Sequence, residues 1–122
     1  VDLTLANPPA RSPWLEHTLW PRLYFSQIMW VDRFGNCITN LTDKVVSRWA
    51  RGAPFIVNAA SKRFTKMSTT YESTPEGEAL SLFNSMGYLE IACNQARADR
   101  TLGLQEGNPV ILERVSTGDV DP

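Results

Sequence analysis

Two short turns hold most of the side chains that could grip a small polar ligand. In the first, Asp32-Arg33-Phe34-Gly35-Asn36, a carboxylate, a π-face and an amide fall within five residues. Asp32 can hold a ligand ammonium through a charge-assisted hydrogen bond. Phe34 can lie against a planar base, and Asn36, with a donor and an acceptor, can read the matching edge of adenine. Gly35 would let a ligand come close to the backbone. The same residues also suit an ordinary hairpin whose Asp and Asn bond their own backbone. The second turn, Asn84-Ser85-Met86-Gly87, offers a hydroxyl and backbone N–H groups suited to a carboxylate, or it is a plain β-turn. Tyr71, just before a turn rich in Pro and Gly, could form a second aromatic wall or sit half-buried in a strand. Nucleophilic catalysis finds little support. The single histidine, His17, lies in a proline-rich stretch away from any strained serine.

Rigid elements must hold these turns. Strand-like segments at 24–31 and 37–41 flank the first, with Gly35 and Asn36 both tolerant of positive φ. Thr42 can cap a short helix over 43–49, with Asp43 favourably placed at its N-terminus and Gly52 ending it. Residues 55–58 and 63–70 read as further strands, 72–78 as a turn, and 79–83 and 88–93 as strands around the second special turn. A helix over 95–102 is ended by Gly103, and Gly107-Asn108 turns the chain into a last strand over 109–115. This pattern predicts a mainly β fold, a compact antiparallel β-barrel with one or two short helices. Residues 1–23 hold four of the chain's prolines and read as an arm or interdomain linker. Trp14, Leu15, Leu19 and Trp20 give that arm apolar groups that should pack on something. The barrel domain is expected over 24–115 and a polar, disordered tail over 116–122.

The 122 residues suit one domain, and 43% hydrophobic content is enough for a core without a disulfide or metal staple. Twelve basic residues against 13 acidic ones give no electrostatic reason to expect nucleic acid or an anionic membrane as partner. Cys37 and Cys93 lie singly in apolar runs, without metal-ligand spacing. They read as buried thiols of a cytoplasmic protein, with a Cys37–Cys93 disulfide as the alternative. No apolar run approaches the ~20 residues of a membrane span, and no signal-peptide pattern opens the chain. A start at Val1 rather than Met fits a fragment or processed product.

Taken together, Met-Trp-Val-Asp-Arg-Phe-Gly-Asn-Cys-Ile-Thr-Asn-Leu (29–41), Tyr-Glu-Ser-Thr-Pro-Glu-Gly-Glu-Ala (71–79) and Asn-Ser-Met-Gly-Tyr-Leu-Glu-Ile-Ala-Cys-Asn (84–94) are more specific than either turn. With Leu-Gly-Leu-Gln-Glu-Gly-Asn-Pro-Val (102–110) after them, this order closely resembles the C-terminal domain of the S-adenosylmethionine hydroxide adenosyltransferases. That family also includes the fluorinase and chlorinase. The resemblance implies a larger N-terminal α/β domain before the barrel, and a homotrimer whose site forms between neighbouring subunits. It implies S-adenosylmethionine as substrate, no further cofactor, and displacement at C5′ by water, hydroxide or halide. The resemblance also implies that the groups activating the nucleophile belong to the N-terminal domain, so no catalytic residue is expected here.

By the resemblance, Asp32 matches the residue on the methionine ammonium, Phe34 and Asn36 those on adenine, Ser85 one on the methionine carboxylate, and Tyr71 falls near an aromatic beside adenine. Met86 and Cys93 stand where halogenases carry arginines, and Gln95 replaces a small residue whose backbone reads the base. These departures favour hydrolysis to adenosine and L-methionine over halide transfer. Two other readings remain open at this level. One is a stand-alone barrel binding a nucleotide or single strand, against which the missing basic groove argues. The other is a purely structural trimerisation domain.

Overall fold

The computed structural model describes residues 21–115. The tail expected over 116–122 and most of the expected arm, with Trp14, Leu15, Leu19 and Trp20, lie outside the described residues. Seven strands form one antiparallel, nearly closed barrel: β1 (Leu23–Val31), β2 (Cys37–Thr42), β3 (Phe55–Ala59), β4 (Lys62–Phe64), β5 (Ala79–Phe83), β6 (Tyr88–Cys93) and β7 (Pro109–Arg114). Their order is β4-β3-β7-β1-β2-β6-β5. Two helices join them, α1 (Asp43–Ala50) and α2 (Ala98–Leu102), with a 3₁₀ turn at Tyr71–Ser73.

Burial alternates along β1 as far as Ile28, as expected of a strand with one face on a core. The register then slips between Ile28 and Trp30, so that Met29 and Trp30 are both exposed. A bulge of this kind adds a residue to one strand and redirects the chain beyond it, here the segment entering the Asp32 turn.

The interior is a continuous apolar cluster that includes Ile28, Leu41, Val57, Leu89, Ile91, Val110 and Leu112. Trp49 of α1 joins it, with ring centroids 5.7 Å from Tyr24 and 6.1 Å from Phe55. Its indole N–H donates to the Pro21 carbonyl at 2.9 Å, which satisfies the polar edge of a buried ring. As the sequence suggests, Thr42 caps α1: its Oγ1 accepts the Val45 N–H at 3.2 Å. The residue that ends α1 is Arg51, in the left-handed region at φ 56, with Gly52 next in the chain. Thr42→Ala is expected to lower stability by about 1 kcal/mol, measured by urea denaturation of the chain. A loss below a few tenths would mean that packing alone holds this helix end.

Two expected elements come out shorter. The strand expected over 63–70 pairs with β3 only through Lys62–Phe64. The chain then changes partner, and Ser68 bridges Leu82 of β5 with its N–H on the Ser81 carbonyl at 2.8 Å. One segment thus serves both free edges of the sheet, which brings the barrel near closure. The helix expected from residue 95 begins at Ala98, because Gln95 adopts φ 57.

Candidate functional site

The Asp32–Asn36 turn is held by its own carboxylate. Asp32 Oδ1 accepts the backbone N–H groups of Phe34 at 2.9 Å and Asn36 at 3.0 Å, and Oδ2 accepts the Asn36 amide at 3.1 Å. The hairpin use of these residues is therefore present in the structure. It leaves capacity for a ligand: a carboxylate has about four lone-pair sites, and one on Oδ2 stays open. Asn36 likewise keeps its amide oxygen and one N–H. Phe34 is 63% exposed, with the Arg33 guanidinium 5.0 Å from its ring centre.

Behind the turn lies a brace that the sequence did not reveal. Arg97 donates to the Arg33 carbonyl at 2.8 Å and grips Asp99 through two bonds at 3.1 and 3.0 Å. The Asp99 N–H in turn donates to the Gly35 carbonyl at 3.0 Å. The hydrogen bonds from Arg97, with burial opposing, hold the Asp99 carboxyl below the usual carboxylate range, so it stays ionised at neutral pH. Arg97 lies 64 positions from Arg33, so no local spacing could have revealed the pairing.

The second turn uses its own N–H groups more fully than expected. Asn84 Oδ1 accepts those of Met86 and Tyr88, each at 3.0 Å, and the Asn84 carbonyl accepts that of Gly87 at 2.8 Å. The expected cluster of free N–H donors is thus largely consumed inside the turn, and the exposed Ser85 contributes chiefly its hydroxyl.

Between the turns stands Tyr71, in the 3₁₀ turn rather than in a strand, with its phenol donating to Glu90 Oε2 at 2.7 Å. Burial, reinforced by the negative charge of Glu90, pushes this phenol up to about 12. It remains a neutral donor across the physiological range. Glu90 itself is buried on β6, and its Oε1 accepts the Asn84 amide at 3.0 Å.

Two adjoining depressions result, and Tyr71 lines both. The first, about 500 Å³, is also lined by Phe34, Asn36, Cys93, Gln95 and Arg97. The second, about 380 Å³, is lined by Asp32, Ser85, Trp30, Met86 and Glu90. All five residues singled out in the sequence therefore border one rim, distributed between two hollows. Cys37 and Cys93 are free and buried. Burial, then the charges of Asp99 and Asp32, pushes the Cys37 thiol up to about 12, and burial also raises Cys93. Neither supplies a thiolate at neutral pH, so neither suits nucleophilic attack. Among the described residues no group of three or more His, Cys, Asp or Glu could hold a metal ion, and no helix is long and apolar enough to cross a membrane.

The barrel has relatives among known proteins. Residues 26–111 match the family model of the SAM hydroxide adenosyltransferase C-terminal domain. The chain is 35% identical over 86 residues to (R)-S-adenosyl-L-methionine hydrolase of Thermus thermophilus, covering 70% of this chain and 31% of that protein. Among solved structures it resembles an uncharacterised conserved protein of Thermotoga maritima, with TM-score 0.64, 26% identity, and 77% and 37% of the two chains covered. A conserved hypothetical protein of Thermus thermophilus aligns with TM-score 0.57, 30% identity, and 75% and 34% coverage. The chain thus spans about a third of the length of these relatives. With the match covering most of its length, the chain belongs to the SAM hydroxide adenosyltransferase family and corresponds to that family's C-terminal domain.

Proposed function

We propose that this barrel is the substrate-binding and assembly domain of an enzyme that hydrolyses S-adenosylmethionine to adenosine and L-methionine. One observation carries the reading: the five residues divide around a shared wall by chemical type. Phe34, Asn36 and Tyr71 border the hollow suited to a base. Asp32 and Ser85 border the neighbouring hollow, suited to an amino acid's ammonium and carboxylate. Asp32 takes the ammonium on its open lone pair, Ser85 the carboxylate, and Phe34 and Tyr71 flank adenine while Asn36 reads its edge.

The reaction forms a C5′–O bond from water and breaks the C5′–S bond. The sulfonium takes the bonding pair and leaves as neutral methionine, and the water's second proton is released. A neutral thioether leaves without protonation, so no general acid is needed at that end. Rate then depends on alignment, exclusion of bulk water and activation of the water. We assign the activating groups to an N-terminal α/β domain of the same or a neighbouring subunit in a homotrimer, reached through an arm over residues 1–23. The complete enzyme would be cytoplasmic and need no cofactor beyond its substrate. Met86, 78% exposed and uncharged, supports water over halide as nucleophile, since by the resemblance the halogenases carry an arginine at that position.

The test compares the 122-residue chain with the full-length protein, monitoring adenosine and methionine by chromatography. The relative's name specifies an R form, and because L already fixes the methionine Cα, R refers to the sulfonium; both epimers are therefore supplied. The full-length protein is expected to release adenosine and methionine in equal amounts, and the chain alone to release neither. Both hollows are open, whereas a complete pocket encloses ~70–90% of such a ligand, so the chain alone should bind adenosine weakly. Turnover by the chain at the full protein's rate would overturn the division of labour. Failure of the full protein to cleave either epimer would overturn the activity.

A further inference from the structure

Glu90 occupies the middle of β6, directly between Ile38 of β2 and Leu82 of β5. Directly opposed residues share a face of the sheet, so a carboxylate 3% exposed sits between two apolar neighbours. No cation pairs with it among the described residues. Burying a carboxylate so is costly unless its oxygens are bonded, and an apolar residue would satisfy the ladder at least as well. What Glu90 does and an apolar residue could not is join two separate pieces of chain. Oε2 takes the Tyr71 phenol at 2.7 Å, and Oε1 takes the Asn84 amide at 3.0 Å. The other end of that amide, Asn84 Oδ1, holds the Met86 and Tyr88 N–H groups at 3.0 Å and so shapes the turn carrying Ser85. A continuous hydrogen-bonded chain thus runs from the wall of the first hollow to the serine turn of the second.

We propose that Glu90 is a positioning residue that fixes the Tyr71 wall and the Ser85 turn relative to each other, so that the two hollows act as one substrate site. This rests on the proposed function for the ligands, but the bridge itself belongs to the ligand-free protein. Glu90 is assigned to act through Tyr71 and Asn84 because each of its oxygens accepts a bond from one of them, and Glu90→Gln separates this from direct contact with a ligand.

The test uses the full-length protein, with adenosine and L-methionine as separate calorimetric probes and hydrogen exchange at the Met86 and Tyr88 amides as a ligand-free readout. Glu90→Leu is expected to weaken each probe about tenfold, the scale of one lost net hydrogen bond on each side, and to speed exchange at both amides. Glu90→Gln is expected to restore both affinities. Its amide oxygen accepts from Asn84, and its N–H donates to the Tyr71 oxygen, keeping both links without the charge. Tyr71→Phe removes one hydroxyl and keeps the ring. It should weaken adenosine more than methionine, since the ring it keeps still lines both hollows, which tests the wall link even if Glu90→Leu does not fold. Loss of methionine binding in Glu90→Gln would overturn the proposal in favour of direct contact between Glu90 and the ammonium. Unchanged amide exchange in a folded Glu90→Leu protein, or unchanged adenosine affinity in Tyr71→Phe, would also overturn it. If the unaltered protein binds neither probe while Glu90→Leu still speeds exchange, the substrate reading fails and the bridge stands.

Discussion

Replacing Asp32 with Asn in the full-length protein is expected to weaken S-adenosylmethionine binding about ten- to a hundredfold, or about 1.5–3 kcal/mol, the worth of a hydrogen bond to a charged group. The substitution keeps the shape of the side chain and removes the charge proposed to face the ammonium. Its effect on the turn is specific as well. The oxygen that holds the Phe34 and Asn36 backbone N–H groups can stay, because an amide retains one acceptor. The other oxygen becomes an NH₂ that faces the Asn36 Nδ2, now 3.1 Å from Oδ2. Two donors cannot share that contact, so Asn36 must turn its amide over or swing away. Either response changes the edge it offers to a base. Methionine should therefore lose affinity through the missing charge, and adenosine through Asn36. Calorimetry with each half-ligand and with S-adenosylmethionine separates the two, with circular dichroism as the check on folding. Unchanged S-adenosylmethionine affinity in a folded variant would return Asp32 to the role of turn-maker alone.

How much of this was legible in the sequence depends on how local each determinant is. The two turns could be read because glycine, asparagine and aspartate at fixed offsets dictate backbone shape over a few residues. The strands around them could be read as short apolar segments bounded by turn residues, and the Thr42 cap from the single bond that it makes. Features that depend on distant partners were hidden. Residues 63–70 look like one strand, but the segment changes partner from β3 to β5, a choice set by closure of the barrel rather than by propensity. Glu90 lies in a strand whose alternation gives no sign that its carboxylate is buried, since its partners sit 19 and 6 residues upstream. Its placement opposite Ile38 and Leu82, apolar positions on the same face, was the available signal, but only once strand register was known. The supply of free N–H groups at the second turn was overestimated because Asn84 was read as a turn residue and not as the acceptor that consumes them.

The brace behind the first turn leads to the largest expected change in stability. Gly35 is buried at φ +85, and a Cβ there would lie 2.6 Å from Asp99 Oδ1 and 2.7 Å from Arg97 Cβ. The carboxylate cannot simply swing aside, because Arg97 grips both of its oxygens while also holding the Arg33 carbonyl. Gly35→Ala therefore combines two costs: about 1–2 kcal/mol for a side chain in the left-handed region and about 1–3 kcal/mol for crowding a packed contact. The sum, about 2–5 kcal/mol, is a large part of the stability of a domain this size. Gly52→Ala supplies the comparison. That glycine has nearly the same φ, +81, with nothing within 4 Å of its Cβ position, so only the conformational cost applies. Urea denaturation of the two variants, read as midpoints at constant slope, isolates the crowding. If Gly35→Ala proves no less stable than Gly52→Ala, then Arg97 and Asp99 yield freely and do not brace the turn. If it is less stable by more than about 1 kcal/mol, they do. The surviving folded fraction should then also lose adenosine affinity, because Phe34 and Asn36 flank the displaced residue and border the hollow assigned to the base.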